Sequence, residues 1–259
     1  MEVAISLTAG RDKRGGTMIR GLYRAASGML PQYLQEEIAA NNLANVNTTG
    51  FKKDVVHFRQ LLDSQILVAA LSGQPGDVNA EEVITNFEQG ELRRTDNPLD
   101  VALDGPGFFV VLTPNGERLT RNGNFMMNAK GELVTADGYA VQGEGGPIQL
   151  FPGDVEIRPD GTIYQNGVEV DRLKIVDLPR PYPLQKEGHN LFRLIRQIPD
   201  FNEAKDVQVR QGFLEESNVN PITEMIRLIS ISKAFQAGQR AIHAQDRTLD
   251  RAVNTVGRY

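Results

Sequence analysis

The chain contains no cysteine and no tryptophan, and it has only 3 histidines among 259 residues. Without cysteine it forms no disulfide, offers no thiolate nucleophile and builds no cysteine-ligated metal site. His57, His189 and His243 are far apart and fit no His-x-x-x-His spacing, so a histidine metal site is not predicted. A formal net charge of −5 without any basic stripe argues against a nucleic-acid binder, which needs Lys and Arg to neutralise phosphates.

Long apolar runs are also missing. No stretch approaches the roughly 18 apolar residues of a membrane-spanning helix. The first residues, MEVAISLTAGRDKRGGT, place a short apolar stretch before the charges, which reverses the order of a secretory signal peptide. We therefore expect no cleaved signal peptide. We expect Met18 to be the natural start and residues 1–17 to be a disordered extension.

What the chain does have is an amphipathic stripe near each end. Toward the C terminus, apolar residues recur every seven positions, at Leu228, Phe235, Ile242, Leu249 and Val256. Near the N terminus, one face at about 100° per residue collects Leu22, Ala26, Met29, Tyr33, Ala40 and Ala44. Terminal helices with apolar seams are suited to packing against copies of themselves or relatives. The alternative is that the two helices pack on each other within one domain.

The first helix is predicted over residues 19–46 of an N-terminal segment 18–50, with a possible kink at Pro31. It should end at Asn-Val-Asn-Thr-Thr-Gly (45–50), since these residues favour caps and turns. A connector over 51–95 is predicted to carry a short amphipathic helix at 55–62, a turn at 72–77 and extended segments.

From about residue 82 the hydrophobic period changes to two. Short apolar runs at 101–103, 108–112, 148–150 and 173–176 alternate with turn signals at 114–117, 129–132, 136–138, 159–161 and 165–167. Such regular Asn-Gly, Asp-Gly and Lys-Gly punctuation predicts an antiparallel β domain of hairpins over 96–210. A C-terminal segment, 211–259, then contains a long helix, with Asn220 as N-cap, Pro221 at its first position and Glu224 in its first turn. The predicted fold class is α+β, with the terminal helices packed as a coiled-coil-like stem and a central antiparallel all-β domain.

Catalytic patterns are weak. Asp96, Asp100 and Asp104 recur every four residues, but Pro98 and the following Gly-Pro-Gly make a helix improbable there. An aspartate before a turn commonly caps its own backbone, so a structural role is preferred. The glycine-rich loop at 143–147 lacks the Lys-Ser/Thr of a phosphate loop and is predicted to be a turn. A nucleophile elbow, Gly-x-Ser-x-Gly, does not occur.

One segment is far more specific. The run AANNLANVNTTGFKK (39–53) resembles the N-terminal signature of bacterial flagellar rod and hook proteins. NPLDVALDGPGFFVV (97–111), TRNGNF (120–125) and GFLEESNVNP (212–221) are similar to further segments of that family. The likeness runs in the same order from residue 18 to residue 258.

This resemblance implies a structural subunit of the flagellar basal-body rod, the drive shaft that transmits torque across the periplasm. It implies polymerisation through the terminal helices, partners that are copies of the chain and other rod proteins, and export through the flagellar type III apparatus. No enzyme activity, cofactor or metal is implied. The chain has no room for the outer domain of a hook protein, and its 143–148 loop favours a proximal over a distal rod subunit. The remote alternative is a carbohydrate-binding or hydrolytic β domain, whose candidate residues would be Asp96, Asp100, Asp104 and Glu144.

Two sets of functional residues follow. The signature is expected to form a joint that fixes the angle between the helical tube and the β domain, the alternative being an ordinary helix stop. Its residues are Asn41, Asn42, Leu43, Ala44, Asn45, Asn47, Gly50, Phe51 and Lys52. The assembly interface is expected at Leu22, Met29, Tyr33, Leu228, Phe235, Ile242, Leu249 and Val256.

Overall fold

The computed structural model describes residues 31–58, 81–195, 202–203 and 207–256. Within these residues the chain forms two helices and a set of short antiparallel strands, so the predicted α+β class is confirmed. No helix in the described part of the chain combines the length and apolarity needed to cross a bilayer.

Helix α1 is described over residues 31–44 and ends in the turn residues 45–50, close to the predicted stop. Helix α2 spans Pro221–Val256, with Glu224 in its first turn, which confirms the predicted start. Proline is well placed at the first helical position because its fixed φ suits the helix and its missing N–H would have no partner there. Glu224 is favourable because carboxylates stabilise the N-terminal end of a helix dipole.

The strands are short and follow one another closely. In chain order they are β1 (Asp54–Phe58), β2 (Glu81–Thr85), β3 (Leu92–Arg94), β4 (Val101–Asp104), β5 (Phe108–Thr113), β6 (Gly116–Thr120), β7 (Phe125–Met127), β8 (Leu133–Thr135), β9 (Ala140–Gly143), β10 (Gly146–Pro147), β11 (Val155–Ile157), β12 (Thr162–Gln165), β13 (Val168–Arg172), β14 (Ile175–Asp177), β15 (Leu184–Gly188), β16 (Leu191–Leu194), β17 (Asn202–Glu203), β18 (Gln208–Gln211) and β19 (Phe213–Glu215).

The largest sheet has the order β15-β16-β6-β5-β9-β8-β7, with β14 also on β5, β17 on β14 and β10 on β9. Strands β11, β12 and β13 form a three-stranded sheet, and β1–β2, β3–β19 and β4–β18 are separate pairs. Each of the five predicted turn signals connects two consecutive strands, β5–β6, β7–β8, β8–β9, β11–β12 and β12–β13. The glycine-rich loop at 143–147 is also a turn, as predicted, because it closes the β9–β10 hairpin.

The sheet is buried on both faces along β5. Phe109 and Val111 belong to one hydrophobic cluster, whereas Phe108 and Val110 belong to a second cluster with Phe192. Successive side chains of a strand point to opposite faces, so a strand covered on both sides reads as a continuous apolar run. This explains why residues 108–111 do not alternate, whereas Leu112, the last residue of the run, is 43% exposed. Each such side chain contributes about 1.5–3 kcal/mol on full burial.

The chain divides into two compact units. One comprises residues 42–55 and 83–221 and contains the main sheet. Of the described residues, the other comprises 31–41, 56–58, 81–82 and 222–256. Residues 42–53 of the signature therefore belong to the β unit, although the first three of them are the last residues of helix α1.

The structure differs from the sequence prediction in one element and at two boundaries. The predicted short helix at 55–62 is wrong over its first residues, because Asp54–Phe58 is strand β1, paired with β2. Its β-branched Val55 and Val56 suit a pleated strand better than a helix, and residues 59–62 lie outside the described residues. Strands also extend beyond 96–210, since β3 precedes that range and β19 follows it. The C-terminal segment therefore contributes a strand before its helix.

Candidate functional site

The signature forms a compact turn that is attached to the β unit. Within the turn, Thr48 Oγ1 donates to Asn45 Oδ1 over 3.1 Å. At its end the Gly50 amide donates to the Glu215 carbonyl over 2.7 Å. On the other side, Asn190 Nδ2 donates to the Thr49 carbonyl over 2.9 Å. The turn is thus held by strand β19 and by the residues between β15 and β16.

The Asn42 side chain joins the end of helix α1 to the first residue of strand β1, Asp54. Its carboxamide donates to the Asp54 carbonyl and accepts from the Asp54 amide, each over 2.9 Å. Asn42 is fully buried. The side chain acts like a neighbouring backbone, because it satisfies the donor and the acceptor of one residue at the same time.

We predict that Asn42→Ala destabilises the protein by about 1–3 kcal/mol, since Asp54 would keep a part-buried amide and carbonyl without these partners. Asn47→Ala is the matched control, because Asn47 is exposed in the same turn and surface changes usually stay within about 0.5 kcal/mol. Urea unfolding of both variants gives the two values. Equal unfolding midpoints for both variants would contradict this role of Asn42.

Gly50 lies directly against the turn after β6. Its φ is 68°, in the left-handed region that favours glycine. A Cβ at this position would lie 2.5 Å from the Arg121 carbonyl carbon and 2.5 Å from the Asn122 nitrogen. Gly50 is therefore required both by conformation and by contact.

A cluster of buried charges lies beside this turn. Lys52 Nζ contacts Glu215 Oε1 at 2.5 Å and donates to the Glu88 carbonyl at 2.7 Å. Arg121 Nη1 donates to the other carboxylate oxygen of Glu215 at 3.2 Å. The Gly90 amide donates to Glu215 Oε1 at 2.9 Å. Burial lowers the pKa of Lys52, and the Glu215 carboxylate opposes that shift.

Lys186 also binds the residues at the start of strand β1. Its Nζ donates to the Lys52 carbonyl at 2.5 Å and to Asp54 Oδ2 at 2.7 Å. It also lies 4.3 Å from the centre of the Phe51 ring, within cation–π range. Burial lowers the pKa of Lys186, whereas the hydrogen bond to Asp54 raises it.

Asn218 connects the signature to the last segment before α2. It accepts from the Lys53 amide at 2.7 Å through Oδ1. Its Nδ2 donates to the Asn86 carbonyl at 2.9 Å. The first and last family-like segments, 39–53 and 212–221, are thus joined through specific polar side chains.

The predicted joint residues divide by environment. Asn42, Gly50, Phe51 and Lys52 are buried, Leu43 and Asn45 are half-buried, and Asn41, Ala44 and Asn47 are exposed. Sequence reasoning missed four partners, Arg121, Lys186, Glu215 and Asn218. The available signal for Glu215 was its position directly after the apolar Phe213 and Leu214. The polar TRNGNF segment offers no such signal for Arg121.

The predicted assembly residues are only partly within the described part of the chain. Leu22 and Met29 lie outside the described residues, as do the side chains of Leu249 and Val256 in α2. Tyr33 is 62% exposed. Leu228, Phe235 and Ile242 are half-buried in the single chain.

Helix α2 carries a second apolar stripe. Ile222, Met225, Ile226 and Ile229 are 68%, 51%, 62% and 56% exposed. At about 100° per residue they lie on the face opposite to the heptad residues Leu228, Phe235 and Ile242. The buried Ile231 shares the face of the heptad residues. This exposed stripe, Ile222–Met225–Ile226–Ile229, is an apolar surface that the single chain leaves open.

The acidic candidates of the enzyme alternative are not gathered together. Asp96 pairs with Arg94, Asp104 with Arg210 and Glu144 with Arg172. Asp100 Oδ1 accepts from the Asn97 and Asn124 carboxamides. Among the residues that the structure describes, no three His, Cys, Asp or Glu side chains come together as a metal site would need.

Three family models match the chain. They are "Flagella basal body rod protein" over residues 22–52, "Flagellar hook protein FlgE/F/G D1 domain" over 102–165 and "Flagellar basal body rod FlgEFG protein C-terminal" over 210–255.

Whole-length relatives agree with the family models. The chain is 36% identical to the flagellar basal-body rod protein FlgF of Rhizobium meliloti (strain 1021), covering 93% of this chain and 99% of the relative. It is 34% identical to the FlgF protein of Caulobacter vibrioides, covering 85% and 91%. It is 33% identical to the flagellar basal-body rod protein FlgG of Borreliella burgdorferi, covering 92% and 98%.

Proposed function

Because this chain belongs to the family of flagellar basal-body rod proteins, we propose that it polymerises through its terminal helices into the drive shaft that transmits torque across the periplasm. It is a structural subunit of the basal-body rod, and other rod proteins are its neighbours. Stiffness in such a shaft comes from many packed subunit contacts, so the chain acts through buried surface and needs no reacting group.

We propose a proximal, FlgF-like position in the rod. The support is the 143–148 loop and the identities of 36%, 34% and 33% to FlgF proteins of three bacteria. The alternative is a distal, FlgG-like position, supported by 33% identity to the FlgG protein of Borreliella burgdorferi.

The observation that carries the assembly proposal is the exposed stripe. Four large apolar side chains at i, i+3, i+4 and i+7 are more than half exposed at the start of α2. Full burial of each such side chain contributes about 1.5–3 kcal/mol of favourable free energy, which is missing while the side chain faces water. A neighbouring subunit's helix that covers this stripe recovers that free energy. The heptad residues Leu228, Phe235 and Ile242 are proposed to complete the helical packing of the tube, as part of the predicted coiled-coil-like stem.

We infer that the signature acts as a joint because it is attached to the β unit at several points. Asn42, Gly50 and Lys52 are fixed to the β unit by hydrogen bonds and close contact. A segment held at several points cannot swivel freely, so the exit direction of helix α1 is proposed to be set by residues 42–55. Export through the flagellar type III apparatus is the proposed route to the rod.

Deletion of the gene tests the function as a whole. We expect non-motile cells whose basal bodies stop before the hook, and recovery of both when the intact chain is supplied. Cells that swim normally without this chain would overturn the proposed function.

A substitution in the heptad stripe tests its part in the interface. Ile242→Asp should leave the β unit folded, because Ile242 lies in the other compact unit, and should prevent rod assembly by burying an unpaired carboxylate. Motility halos and circular dichroism of the purified variant give the two readouts. Normal swimming would show that Ile242 does not face a partner.

A further inference from the structure

The buried charges beside the signature do not balance. Lys52, Arg121 and Glu215 have side chains that are 1%, 4% and 0% exposed. Two cations therefore share one carboxylate. The Glu88 and Gly105 carbonyls accept from Lys52 and Arg121, and Arg121 Nε has no partner within the described part of the chain. These three buried side chains carry a net charge of about +1 in an interior where charges are weakly screened. The Glu88 carboxylate, which also acts on Lys52, belongs to an exposed residue.

The three residues come from three distant segments. Lys52 is the next-to-last residue of the signature, Arg121 lies in the turn after β6 and Glu215 is the last residue of β19. Lys52 and Glu215 are 163 positions apart, and Arg121 and Glu215 are 94 apart. In the unfolded chain each charge is hydrated and alone. The cluster forms only when all three segments have been brought together.

The Glu215 carboxylate makes the association of these three segments favourable. Without its carboxylate, docking the signature would bury Lys52 beside Arg121, and two like charges in a dry site repel each other strongly. With the carboxylate in place, both cations gain a partner. Glu215 is presented by pairing of β19 with β3, in which Glu215 lies opposite Leu92.

We infer that Lys52, Arg121 and Glu215 form a latch that lets residues 42–55 dock only after β19 has paired with β3. The latch makes docking of residues 42–55 a late step in folding of the β unit, because it waits for β19. In any chain that emerges N terminus first, the signature waits for a residue that emerges much later. This order holds for the folding of the chain itself and does not depend on rod assembly.

Hydrogen exchange of the full-length chain, followed by mass spectrometry of peptides, tests the latch. Glu215→Gln should raise exchange in residues 42–55 on the order of a hundredfold, as expected when one partner of a buried ion pair is removed. Residues 108–120, in the β5–β6 hairpin, should change by less than about twofold, because hairpins of the main sheet open independently. Glu216→Gln is the matched control, since Glu216 is exposed and pairs with Arg93.

A second substitution separates charge from shape. Lys52→Met alone should raise exchange in 42–55, but by less than Glu215→Gln, because it leaves Arg121 and Glu215 as a balanced pair. In the Glu215→Gln background the same substitution should lower exchange, because it removes one of two unbalanced cations. Lys53→Met, next in sequence, should have little effect in either background, because Lys53 makes its hydrogen bonds to Asn218 and Asn86 through its backbone.

The latch requires that Lys52→Met has opposite effects on exchange of residues 42–55 in the parent and in the Glu215→Gln background. Faster exchange in the Lys52→Met/Glu215→Gln double variant than in Glu215→Gln would overturn the latch, and so would equal acceleration of 42–55 and 108–120 by Glu215→Gln. If Glu215→Gln does not fold, recovery of folding by added Lys52→Met supports the latch. Failure of the double variant to fold would contradict it.

Discussion

Ile226→Asp should abolish swimming while leaving the purified subunit as stable as the parent. Ile226 is 62% exposed in the single chain, and exposed substitutions usually change stability by no more than about 0.5 kcal/mol. In the rod the same carboxylate would be buried against a neighbouring helix without a partner, which costs several kcal/mol per interface. Many copies would each carry that penalty. Swimming halos, and immunoblots of isolated basal bodies for this subunit, measure the loss.

Ser230→Asp is the matched control for this substitution. Ser230 is exposed in the same part of α2 and, at about 100° per residue, lies between the exposed stripe and the heptad stripe. It introduces the same charge without entering either apolar surface. We expect it to swim far better than Ile226→Asp. Equal loss in both variants would mean that added charge anywhere on α2 blocks assembly, and the stripe would have no special part.

Gly50→Ala should release the signature from the β unit and prevent incorporation into the rod. Two effects add. The left-handed φ of 68° strains any non-glycine residue by about 1–3 kcal/mol. The new methyl group would also lie 2.5 Å from the Arg121 and Asn122 backbone, so the turn must move away from strand β6. A loss of about 3 kcal/mol or more in unfolding free energy is expected for a residue that combines strain with backbone overlap.

Gly138→Ala separates the two effects. Gly138 has a φ of 86°, yet nothing lies within 4 Å of a Cβ built there. It should therefore show the strain alone, about 1–2 kcal/mol, and should still enter the rod. Limited proteolysis at 42–55, urea unfolding and basal-body immunoblots compare the variants. Similar behaviour of Gly50→Ala and Gly138→Ala would show that the signature is a passive linker.

The parts of the fold that sequence predicted well are those with local causes. The Asn-Gly and Asp-Gly turns at 114–117, 136–138 and 165–167 require glycine for their backbone conformation, so they can be located from neighbouring residues alone. The start of α2 at Pro221 has a similarly local cause. The family-like segments also gave the signature its place, because their residue order is specific.

The parts that sequence missed depend on distant residues. The 55–62 segment fits an amphipathic helix, and only pairing with β2 selects the strand at Asp54–Phe58. Glu215 looks like one more charge near a turn until β19 brings it beside Lys52. Hydrophobic periodicity carries no information about a partner 163 positions away. The exposed stripe was missed because its residues share α2 with the heptad stripe, and only burial in the folded chain distinguishes the two faces.

The most direct test of the proposed assembly is an electron cryomicroscopy map of the isolated basal body at a resolution that shows side chains. We predict that copies of this chain form part of the rod and that Ile222, Met225, Ile226 and Ile229 are covered by helices of neighbouring subunits. A map in which this chain lies outside the rod, or in which that face of α2 remains open to solvent, would contradict it.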